Sequence, residues 1–386
     1  MLDIGTRYDS TKEAEIYKLW EESGYFNPDN LPKTHKKPFC IIMPPPNANG
    51  SLHIGHALFV TLQDIMIRFW RMRGRKTLWL PGADHAGFET QVVFDKKLEK
   101  EGRNRFQIPR EKLYEEILEF TLKNKAVMEG QLRKLGASCD WSRGKFTLDE
   151  DIIQETQQAF IDMYREGLIY RGTRLVNWCV KHQTTFSDLE VKYVERKDPL
   201  YYIKYGPLTL ATVRPETKFG DTALAVNPKD KRYQKYIGKE IEAEGLLGKL
   251  KFKVIADEVV DPKFGTGVVK VTPAHDFADF EMGLRHNLEA KEVIDKFGRL
   301  NEKTGPYKGL KVAEARTKTA EDLKKKGLIE KIDENYKHNV AVCYKCEQVL
   351  EPRILPQWFV RMKPLAAKAM EAVKKKQVKF IPAHFE

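Results

Sequence analysis

A short apolar segment, a proline-rich loop and a helix that opens with two histidines constrain the fold of this chain more than any other feature. Residues 38–43 read Pro-Phe-Cys-Ile-Ile-Met, which is typical of a buried strand. The loop that follows contains three consecutive prolines, which exclude both helix and sheet pairing. Apolar residues then recur at helical spacing from Leu52 to Arg73. Strand, loop and helix in this order predict the first unit of a nucleotide-binding α/β fold.

His53 and His56 lie three positions apart at the start of that helix, which predicts both imidazoles on one face. A helix N-terminus carries unpaired N–H groups and partial positive charge, which suits a phosphate. Two imidazoles there can donate to a phosphoryl group as negative charge builds, and Gly55 leaves space for a ligand to lie close. The alternative is two ordinary surface or core histidines, which the position directly after the proline-rich loop disfavours.

The remaining sequence predicts a longer α/β region followed by a region of different character. Another short strand is expected over 77–80, and long helices over about 110–135 and 150–167. After Asp198 the pattern predicts mostly strands, with two helices over about 276–286 and 312–326. The predicted strands of this second region cover residues 200–205, 208–213, 222–226, 251–256 and 267–271. These patterns favour a separately folded α+β domain in the second region.

The composition is that of a soluble globular protein and excludes disorder of the whole chain, since 41% of the 386 residues are hydrophobic and 11% aromatic. Lysine and arginine number 67 against 55 acidic residues, and the net charge of +12 permits a nucleic-acid partner without proving one. No apolar run approaches the roughly 18 residues that a membrane helix needs, and the N-terminus lacks the apolar region of a signal peptide. We therefore expect a cytoplasmic protein with no membrane partner.

Two acidic residues mark a second candidate site, in the strand-rich region. A predicted strand ending at Val271 runs into Thr272-Pro-Ala-His-Asp-Phe-Ala-Asp279. If a helix starts there, Asp276 and Asp279 share one face and can hold one cationic group and one hydroxyl. The alternative is that Asp276 is a helix N-cap and Asp279 a first-turn acid that the helix dipole favours.

Four residues with the spacing of metal ligands flank the strand-rich region. Cys179-x-x-His182 and Cys343-x-x-Cys346 each supply two ligands, and a Cys₃His set suits tetrahedral Zn²⁺. About 160 residues separate the two pairs, as expected if a domain is inserted between two halves of one small module. The alternative is that the cysteines are reduced structural residues and His182 is merely exposed.

Three segments resemble one enzyme family. Pro44-Pro-Pro-Asn-x-x-Gly-Ser-Leu-His-Ile-Gly-His56 is similar to the first adenylate-forming motif of class I aminoacyl-tRNA synthetases. Pro81-Gly-Ala-Asp-His-Ala-Gly87 and Val176-Asn-Trp…Ser187-Asp-Leu-Glu-Val191 resemble segments of the subclass for branched aliphatic amino acids, and within it of the valyl enzymes. Asn49 departs from this pattern, because valyl enzymes usually have Thr there and Asn is more like the isoleucyl relatives.

The resemblance implies a fold and an activity. The fold would be the first half of a class I Rossmann-type catalytic domain, with an inserted α+β, β-barrel-like editing domain and a small zinc-knuckle module. The activity would be the activation of L-valine with ATP and Mg²⁺ and its transfer to tRNA(Val) by a monomeric enzyme. Threonine is nearly isosteric with valine, so a hydrophobic pocket rejects it poorly and a second site would hydrolyse mischarged Thr-tRNA(Val).

The resemblance also implies four segments. The expected domains are an N-terminal helical extension (1–37), the first catalytic half with the first knuckle (38–197), the editing domain (198–335) and the second knuckle with a return segment (336–386). The sequence contains neither a Lys-Met-Ser-Lys-Ser type loop nor a helical anticodon-binding domain. We therefore expect the chain to be the N-terminal part of a longer enzyme.

The resemblance assigns roles to matching positions. In the first site, His53 and His56 would be catalytic, and the residues that contact ATP or the amino acid would be Pro45, Pro46, Asn47, Gly55 and Asp84. Asp84 would hold the ammonium group of the amino acid.

In the editing site, Asp276 would take the ammonium of the mischarged amino acid and Asp279 its hydroxyl. The full editing set would be Arg214, Glu216, Thr217, Lys270, Thr272, Asp276 and Asp279. No nucleophilic side chain is evident, so we expect water to attack the ester. Structural Zn²⁺ would be held by Cys179, His182, Cys343 and Cys346.

Three alternatives remain open on the sequence. Asn49 favours isoleucine as the substrate. The intact editing motif beside an incomplete catalytic fold favours a stand-alone aminoacyl-tRNA deacylase. A third possibility is a module that binds tRNA or a protein without chemistry.

Overall fold

A computed structural model of the chain describes residues 8–386 in two compact units, the first ending at Gly167 and the second running from Leu168 to Glu386. The predicted extension over 1–37 begins with residues 1–7, which lie outside the described residues. Within the described part of the chain, no helix combines the length and the apolar character that a membrane span requires.

The first unit contains the predicted strand–loop–helix arrangement. Strand β1 (Pro38–Ile42) pairs in parallel with β2 (Lys76–Leu80), and helix α2 (Ile54–Met72) connects them. Shorter strands β3 (Gly82–Ala83) and β4 (Lys145–Phe146) form a second parallel pair. The other helices of this unit are α1 (Glu13–Glu22), α3 (Gly87–Lys100), α4 (Arg110–Lys134) and α5 (Glu150–Arg165). The sequence did not predict α3.

The core of the first unit holds the proline-rich loop in place. Met43, at the start of that loop, packs in a buried cluster with Trp79 of β2 and Ile67 of α2. The backbone N–H of Leu52, at the end of the loop, donates to the Gln131 side chain of α4 at 2.8 Å. Both ends of the loop are therefore anchored, which fixes the start of α2 relative to the strands.

Strand-rich structure dominates the second unit, as the sequence predicts. A four-stranded mixed sheet has the order β10-β11-β9-β12, in which β11 and β9 are parallel and the other pairs antiparallel. Its strands are β9 (Ala223–Val226), β10 (Glu240–Glu244), β11 (Lys249–Ala256) and β12 (Val268–Val271). Leu210, Leu224 and Val254 are fully buried in the main core of this unit.

A long antiparallel ribbon links the four-stranded sheet to the cysteine pairs. Strands β7 (Val191–Tyr205) and β13 (Ile329–Cys343) pair along their lengths, and β8 (Leu208–Thr212) joins β7. The predicted boundaries at 197/198 and 335/336 fall inside these paired strands, and they stay predictions. The ribbon returns the chain to its starting point, because Cys343 lies opposite Val191.

A third sheet in the second unit has the order β14-β5-β6. Its strands are β5 (Ile169–Cys179), β6 (Thr184–Phe186) and β14 (Glu351–Val360). The helices of this unit are α6 (Phe277–His286), α7 (Val312–Lys325) and α8 (Met362–Lys374). The first residue of each predicted ligand pair, Cys179 or Cys343, thus lies at the end of a long strand.

Candidate functional site

The two histidines of the first site cap helix α2. His53 has an extended backbone at the N-cap position, and its Nδ1 accepts from the Gly55 N–H at 3.1 Å. The His56 Nδ1 accepts from the His53 N–H at 3.2 Å, so each imidazole satisfies one N–H of the helix end. The two ring centroids are 4.0 Å apart. A side chain at Gly55 would crowd His53, since a Cβ there would lie 3.0 Å from the His53 ring.

This capping fixes the tautomer of both histidines. Because each Nδ1 accepts from a backbone N–H, the proton of each neutral ring must sit on Nε2. Burial and the neighbouring charge of His53 lower the pKa of His56, which favours its neutral form. The start of α2 therefore presents two Nε2–H donors beside the helix N-terminus, which suits a phosphoryl group.

The proline-rich loop is paired with the segment that contains Asp84. The Ala48 N–H donates to the Asp84 carbonyl at 2.7 Å, and the Asp84 N–H donates to the Pro46 carbonyl at 2.9 Å. These bonds place Asn47 beside Asp84 in a parallel bridge, which extends the β1–β2 pairing. The sequence-predicted residues Pro46, Asn47 and Asp84 are therefore neighbours.

The side chain of Asp84 is oriented by a residue that sequence reasoning missed. Its Oδ1 accepts from the Ala86 N–H at 2.8 Å and from the Thr147 hydroxyl at 3.3 Å. The Thr147 hydroxyl oxygen also accepts from the His85 N–H at 2.9 Å. Thr147 follows β4 and arrives through the β3–β4 pairing, for which no local motif exists. Ala86 has a φ of +56°, so the turn after Asp84 is left-handed.

A small cavity of about 180 Å³ is lined by Thr147, which bonds Asp84, and is bounded mainly by apolar groups. The predicted residue Pro45 lines it, and a Cβ on Gly82 would lie 3.3 Å from the Pro45 ring. Pro46 is buried and does not line this cavity. Its walls are Ile42, Met43, Pro45, Leu80, Pro81, Gly82, Ala83, Lys145, Phe146, Thr147 and Ile152. The cavity size fits a short aliphatic side chain.

The second site is centred on Arg214, which follows β8. Its Nε donates to Glu216 Oε1 at 3.1 Å, its Nη2 to Glu351 Oε2 at 2.6 Å and its Nη1 to the His275 carbonyl at 3.4 Å. Arg316 of α7 donates to both Glu216 oxygens, at 3.0 and 3.1 Å. Burial alone would raise the pKa of Glu216, but the two guanidinium groups outweigh it and lower that pKa. We call Arg214, Glu216, Arg316 and Glu351 the arginine–carboxylate network.

A second buried group surrounds Lys270. Its Nζ donates to the hydroxyls of Thr217 at 2.8 Å and Thr272 at 2.6 Å, and lies 3.3 Å from Asp221 Oδ1. The Thr272 hydroxyl donates to the same Asp221 oxygen at 2.7 Å. The backbone N–H of Thr272 donates to Asp279 Oδ2 at 2.8 Å. We call Thr217, Asp221, Lys270, Thr272 and Asp279 the lysine network.

The two aspartates of the predicted editing site lie at the start of helix α6. Asp276 is the N-cap, and its Oδ1 accepts from the Asp279 N–H at 3.0 Å. The structural role that the sequence left as an alternative is thus present. Burial, together with the nearby charge of Asp276, raises the pKa of Asp279 to about 7.

A cavity of about 700 Å³ separates the predicted editing residues into two groups. Arg214 and Asp276 line the cavity, together with His275 and Arg316. The other five predicted residues do not line the cavity and belong to the two networks, and they are Glu216, Thr217, Lys270, Thr272 and Asp279. Sequence reasoning missed Arg316 and Glu351, which come from a helix and a strand distant in sequence and carry no motif.

The four predicted metal ligands come together in the second unit. Their ligand atoms all lie within 4.8 Å of one another, and they belong to Cys179, His182, Cys343 and Cys346. The His182 Nδ1 is 3.5 Å from the sulfurs of Cys179 and Cys343, and the sulfurs of Cys179 and Cys346 are 3.7 Å apart. Tetrahedral zinc, with Zn–S near 2.3 Å and Zn–N near 2.0 Å, separates its ligand atoms by about 3.5–3.8 Å. The residues therefore fit zinc.

The chain matches a family model over residues 15–386, and that family is described as tRNA synthetases class I (I, L, M and V). It is 49% identical to a valine--tRNA ligase of Carboxydothermus hydrogenoformans, over 97% of this chain and 42% of that protein. It is 46% identical to that of Thermotoga maritima, over 99% of this chain and 44% of the relative. The chain thus spans less than half the length of these curated relatives.

One solved structure in the comparison is a ternary LeuRS-tRNA-LeuAMS complex from Agrobacterium radiobacter K84. It aligns with 89% of this chain and 49% of its own chain, with 19% identity and a TM-score of 0.41.

Proposed function

The chain belongs to the class I tRNA synthetases (I, L, M and V), and from that premise we propose that it supplies part of the activation site and the editing domain of a valine--tRNA ligase. The observation that carries this proposal is the identity of 45–49% to valine--tRNA ligases over 97–100% of this chain. The enzyme would convert L-valine and Mg·ATP to valyl-adenylate and transfer the valyl group to the terminal ribose of tRNA(Val). It would act in the cytoplasm as a monomer.

In the activation site, the start of α2 would bind the phosphates of ATP. The Nε2–H groups of His53 and His56 would donate to the phosphoryl group as negative charge develops. Mg²⁺ would neutralise phosphate charge when bound. The Asp84 carboxylate would accept from the ammonium of valine, and the cavity beside Pro45 would hold the isopropyl group. This arrangement supports attack of the valine carboxylate on the α-phosphorus, with pyrophosphate as the leaving group.

The amino acid specificity can be measured by ATP–pyrophosphate exchange on the enzyme that contains this chain. We expect turnover with valine to exceed turnover with isoleucine, because the chain is 45–49% identical to valine--tRNA ligases. Stronger turnover with isoleucine would contradict the proposal and favour the substrate that Asn49 suggests.

In the editing site, water would hydrolyse the ester of threonyl-tRNA(Val). Asp276 lines the 700 Å³ cavity and would accept from the threonyl ammonium. Asp279 does not line the cavity, and its role in recognising the threonine hydroxyl is proposed from the resemblance to valyl enzymes. Water oxygen would attack the ester carbonyl carbon, the bond to the ribose oxygen would break, and that oxygen would take a proton. The free threonine and intact tRNA would leave.

Substitution of the two aspartates tests this assignment. We expect Asp276→Ala and Asp279→Ala to reduce the deacylation of threonyl-tRNA(Val) by about tenfold or more, since each removes a charged or buried hydrogen-bond partner. Glu195→Gln is a matched control, because Glu195 pairs with Lys337 in an exposed contact on the ribbon. Deacylation at the unaltered rate in both aspartate variants would contradict the assignment.

The Cys₃His cluster would hold structural zinc and tie the two knuckles together. Burial first, and then the neighbouring cysteines, raise the pKa of the Cys179 thiol to about 12, and a bound cation would reverse this by favouring the thiolate. We expect about one zinc per chain in reduced protein by metal analysis, and loss of that zinc in Cys343→Ser. Folded, reduced protein without zinc would refute this site.

A further inference from the structure

The second cavity has a wall from the module that carries the cysteine pairs. Residues 347–352, directly after Cys346, line this cavity, as do Asn177 and Val180 on either side of Cys179. The same cavity is lined by Arg214 and Asp276 of the predicted editing site. The segment that leads into β14 therefore contacts the space in which the ester would bind.

Arg214 is held from three separate segments. The acceptors are Glu216 in the following turn, the His275 carbonyl before α6, and Glu351 at the start of β14. A guanidinium has five N–H bonds, and three acceptors on three different nitrogens fix both its position and its plane. Within residues 8–386, the other two N–H bonds, one on each Nη, have no hydrogen-bond acceptor, which leaves them for a ligand.

Glu351 makes the shortest of these contacts. Its Oε2 lies 2.6 Å from the Arg214 Nη2, against 3.1 and 3.4 Å for the other two acceptors. Its side chain is 6% exposed, so the ion pair is shielded from water on the carboxylate side. The Glu216 carboxylate is shared with Arg316, which leaves Glu351 as the stronger determinant of where Nη2 lies.

The position of Glu351 is itself fixed by the sheet. Glu351 lies opposite Trp178 in the β14–β5 pairing, one residue from Cys179. The Trp178 indole N–H donates to the Lys296 carbonyl at 2.8 Å. A Cβ on Gly298 would lie 3.0 Å from Val180, so the end of β5 packs closely on this segment. The carboxylate is thus presented by an edge strand that pairs with β5, whose end is in turn held against the segment of Lys296 and Gly298.

We propose that Glu351 is a positioning residue for deacylation, which fixes the Arg214 guanidinium so that its free N–H bonds face the terminal nucleotide of the aminoacyl-tRNA. The inference rests on the proposed editing function. Phosphate and ester oxygens are the acceptors that such N–H bonds recognise. Without Glu351, Arg214 keeps its Glu216 contact at Nε but loses the restraint on Nη2, and its guanidinium can rotate.

The test combines a structural and a kinetic readout on the complete chain. Glu351→Gln removes the charge at constant shape, Glu351→Asp keeps the charge on a shorter side chain, and Glu195→Gln is the exposed control. The first readout is the rate at which phenylglyoxal modifies Arg214, followed by peptide mass spectrometry. The second is KM and kcat for threonyl-tRNA(Val) hydrolysis, and the thermal midpoint reports folding.

We expect Glu351→Gln to speed modification of Arg214 about fivefold and to raise KM about tenfold, as loss of a charge-assisted hydrogen bond implies. Glu351→Asp should lie between this variant and the unaltered chain, and Glu195→Gln should match the unaltered chain. A purely structural role would lower the thermal midpoint and kcat without changing Arg214 reactivity or KM, and would overturn the inference.

The outcomes separate this inference from the proposed function. If the unaltered chain does not hydrolyse threonyl-tRNA(Val) but Arg214 becomes more reactive in Glu351→Gln, Glu351 positions Arg214 and the editing function fails. If Arg214 reactivity is unchanged in Glu351→Gln, the inference fails whether or not the chain hydrolyses the ester.

Discussion

The two candidate sites are built in opposite ways. In the first unit, His53 and Asp84 are exposed or half-buried, and their side chains accept mainly from backbone N–H groups. In the second unit, the side chains behind the cavity are buried and bind one another, as Glu216 does with two arginines. The first site is therefore positioned by secondary structure, and the second by a network of charges.

This difference implies different consequences of mutation. A side chain that caps a helix can be replaced at small cost, because water also reaches the helix end. A buried charge that loses its partner pays the full desolvation penalty. Substitutions should therefore affect mainly function in the first site, and both function and stability in the second.

The largest effect is expected at Glu216. Its carboxylate is fully buried between Arg214 and Arg316, so Glu216→Gln leaves two guanidinium groups without their shared counter-charge. We expect the free energy of unfolding to fall by about 3–5 kcal/mol in urea titrations. Glu195→Gln, on the exposed ribbon, should change it by less than about 0.5 kcal/mol. Similar losses of unfolding free energy in Glu216→Gln and Glu195→Gln would contradict the idea that buried charges hold the second site together.

The next effect concerns the pH dependence of stability through Asp279. Its pKa is raised to about 7 by burial and then by Asp276, while Lys270 opposes the shift and Asp221 adds to it. At Asp279 the folded state therefore holds a proton that the unfolded state loses between about pH 4 and 7, so the contribution of this group to stability falls as pH rises through this range.

Asp279→Asn should remove that contribution. Between about pH 4 and 7, the free energy of unfolding of this variant should fall less than that of the unaltered chain. The difference should be on the order of 2–4 kcal/mol, since one pKa unit corresponds to about 1.4 kcal/mol. Urea unfolding at several pH values measures the slope, with Asp261→Asn as a surface control. Identical slopes in Asp279→Asn and the unaltered chain would contradict the assigned shift.

The smallest effect on stability is expected at His53. His53→Ala removes the N-cap of α2 and should lower the unfolding free energy by about 1 kcal/mol. His53→Asn retains a capping oxygen and should stay within about 0.5 kcal/mol of the unaltered chain. Both variants should nevertheless lose most ATP–pyrophosphate exchange in the enzyme that contains this chain. If His53→Asn lowered the unfolding free energy by several kcal/mol, the first site would depend on its side chains for stability as the Glu216 site does, which would contradict the comparison.

Local patterns in the sequence were enough to predict the helix start that carries the two histidines and the spacing of the four residues Cys179, His182, Cys343 and Cys346. His53 and His56 follow from a helix start, and the helix forms where the apolar spacing predicts it. Cys179-x-x-His182 and Cys343-x-x-Cys346 each have the spacing of metal ligands, and the sulfurs of Cys179 and Cys346 lie 3.7 Å apart. Such features depend on neighbours in the chain, which periodicity and spacing report directly.

Long-range partners were not predictable in this way. Thr147 reaches Asp84 across 63 residues, and Glu351 reaches Arg214 across 137. Neither residue belongs to a motif, and both arrive through strand pairing between distant segments. The chain also places Arg316 on a helix whose pattern indicates only an amphipathic surface. Charge networks are therefore the part of a site that one sequence reveals least.

The most direct test of the account is the hydrolysis of two esters by the chain itself. The purified chain is mixed with threonyl-tRNA(Val) or valyl-tRNA(Val), and the loss of each ester is followed over time. We predict faster hydrolysis of the threonyl ester, because the second site would recognise its hydroxyl. Equal rates for the two esters, or no hydrolysis above the spontaneous rate by folded protein, would contradict it.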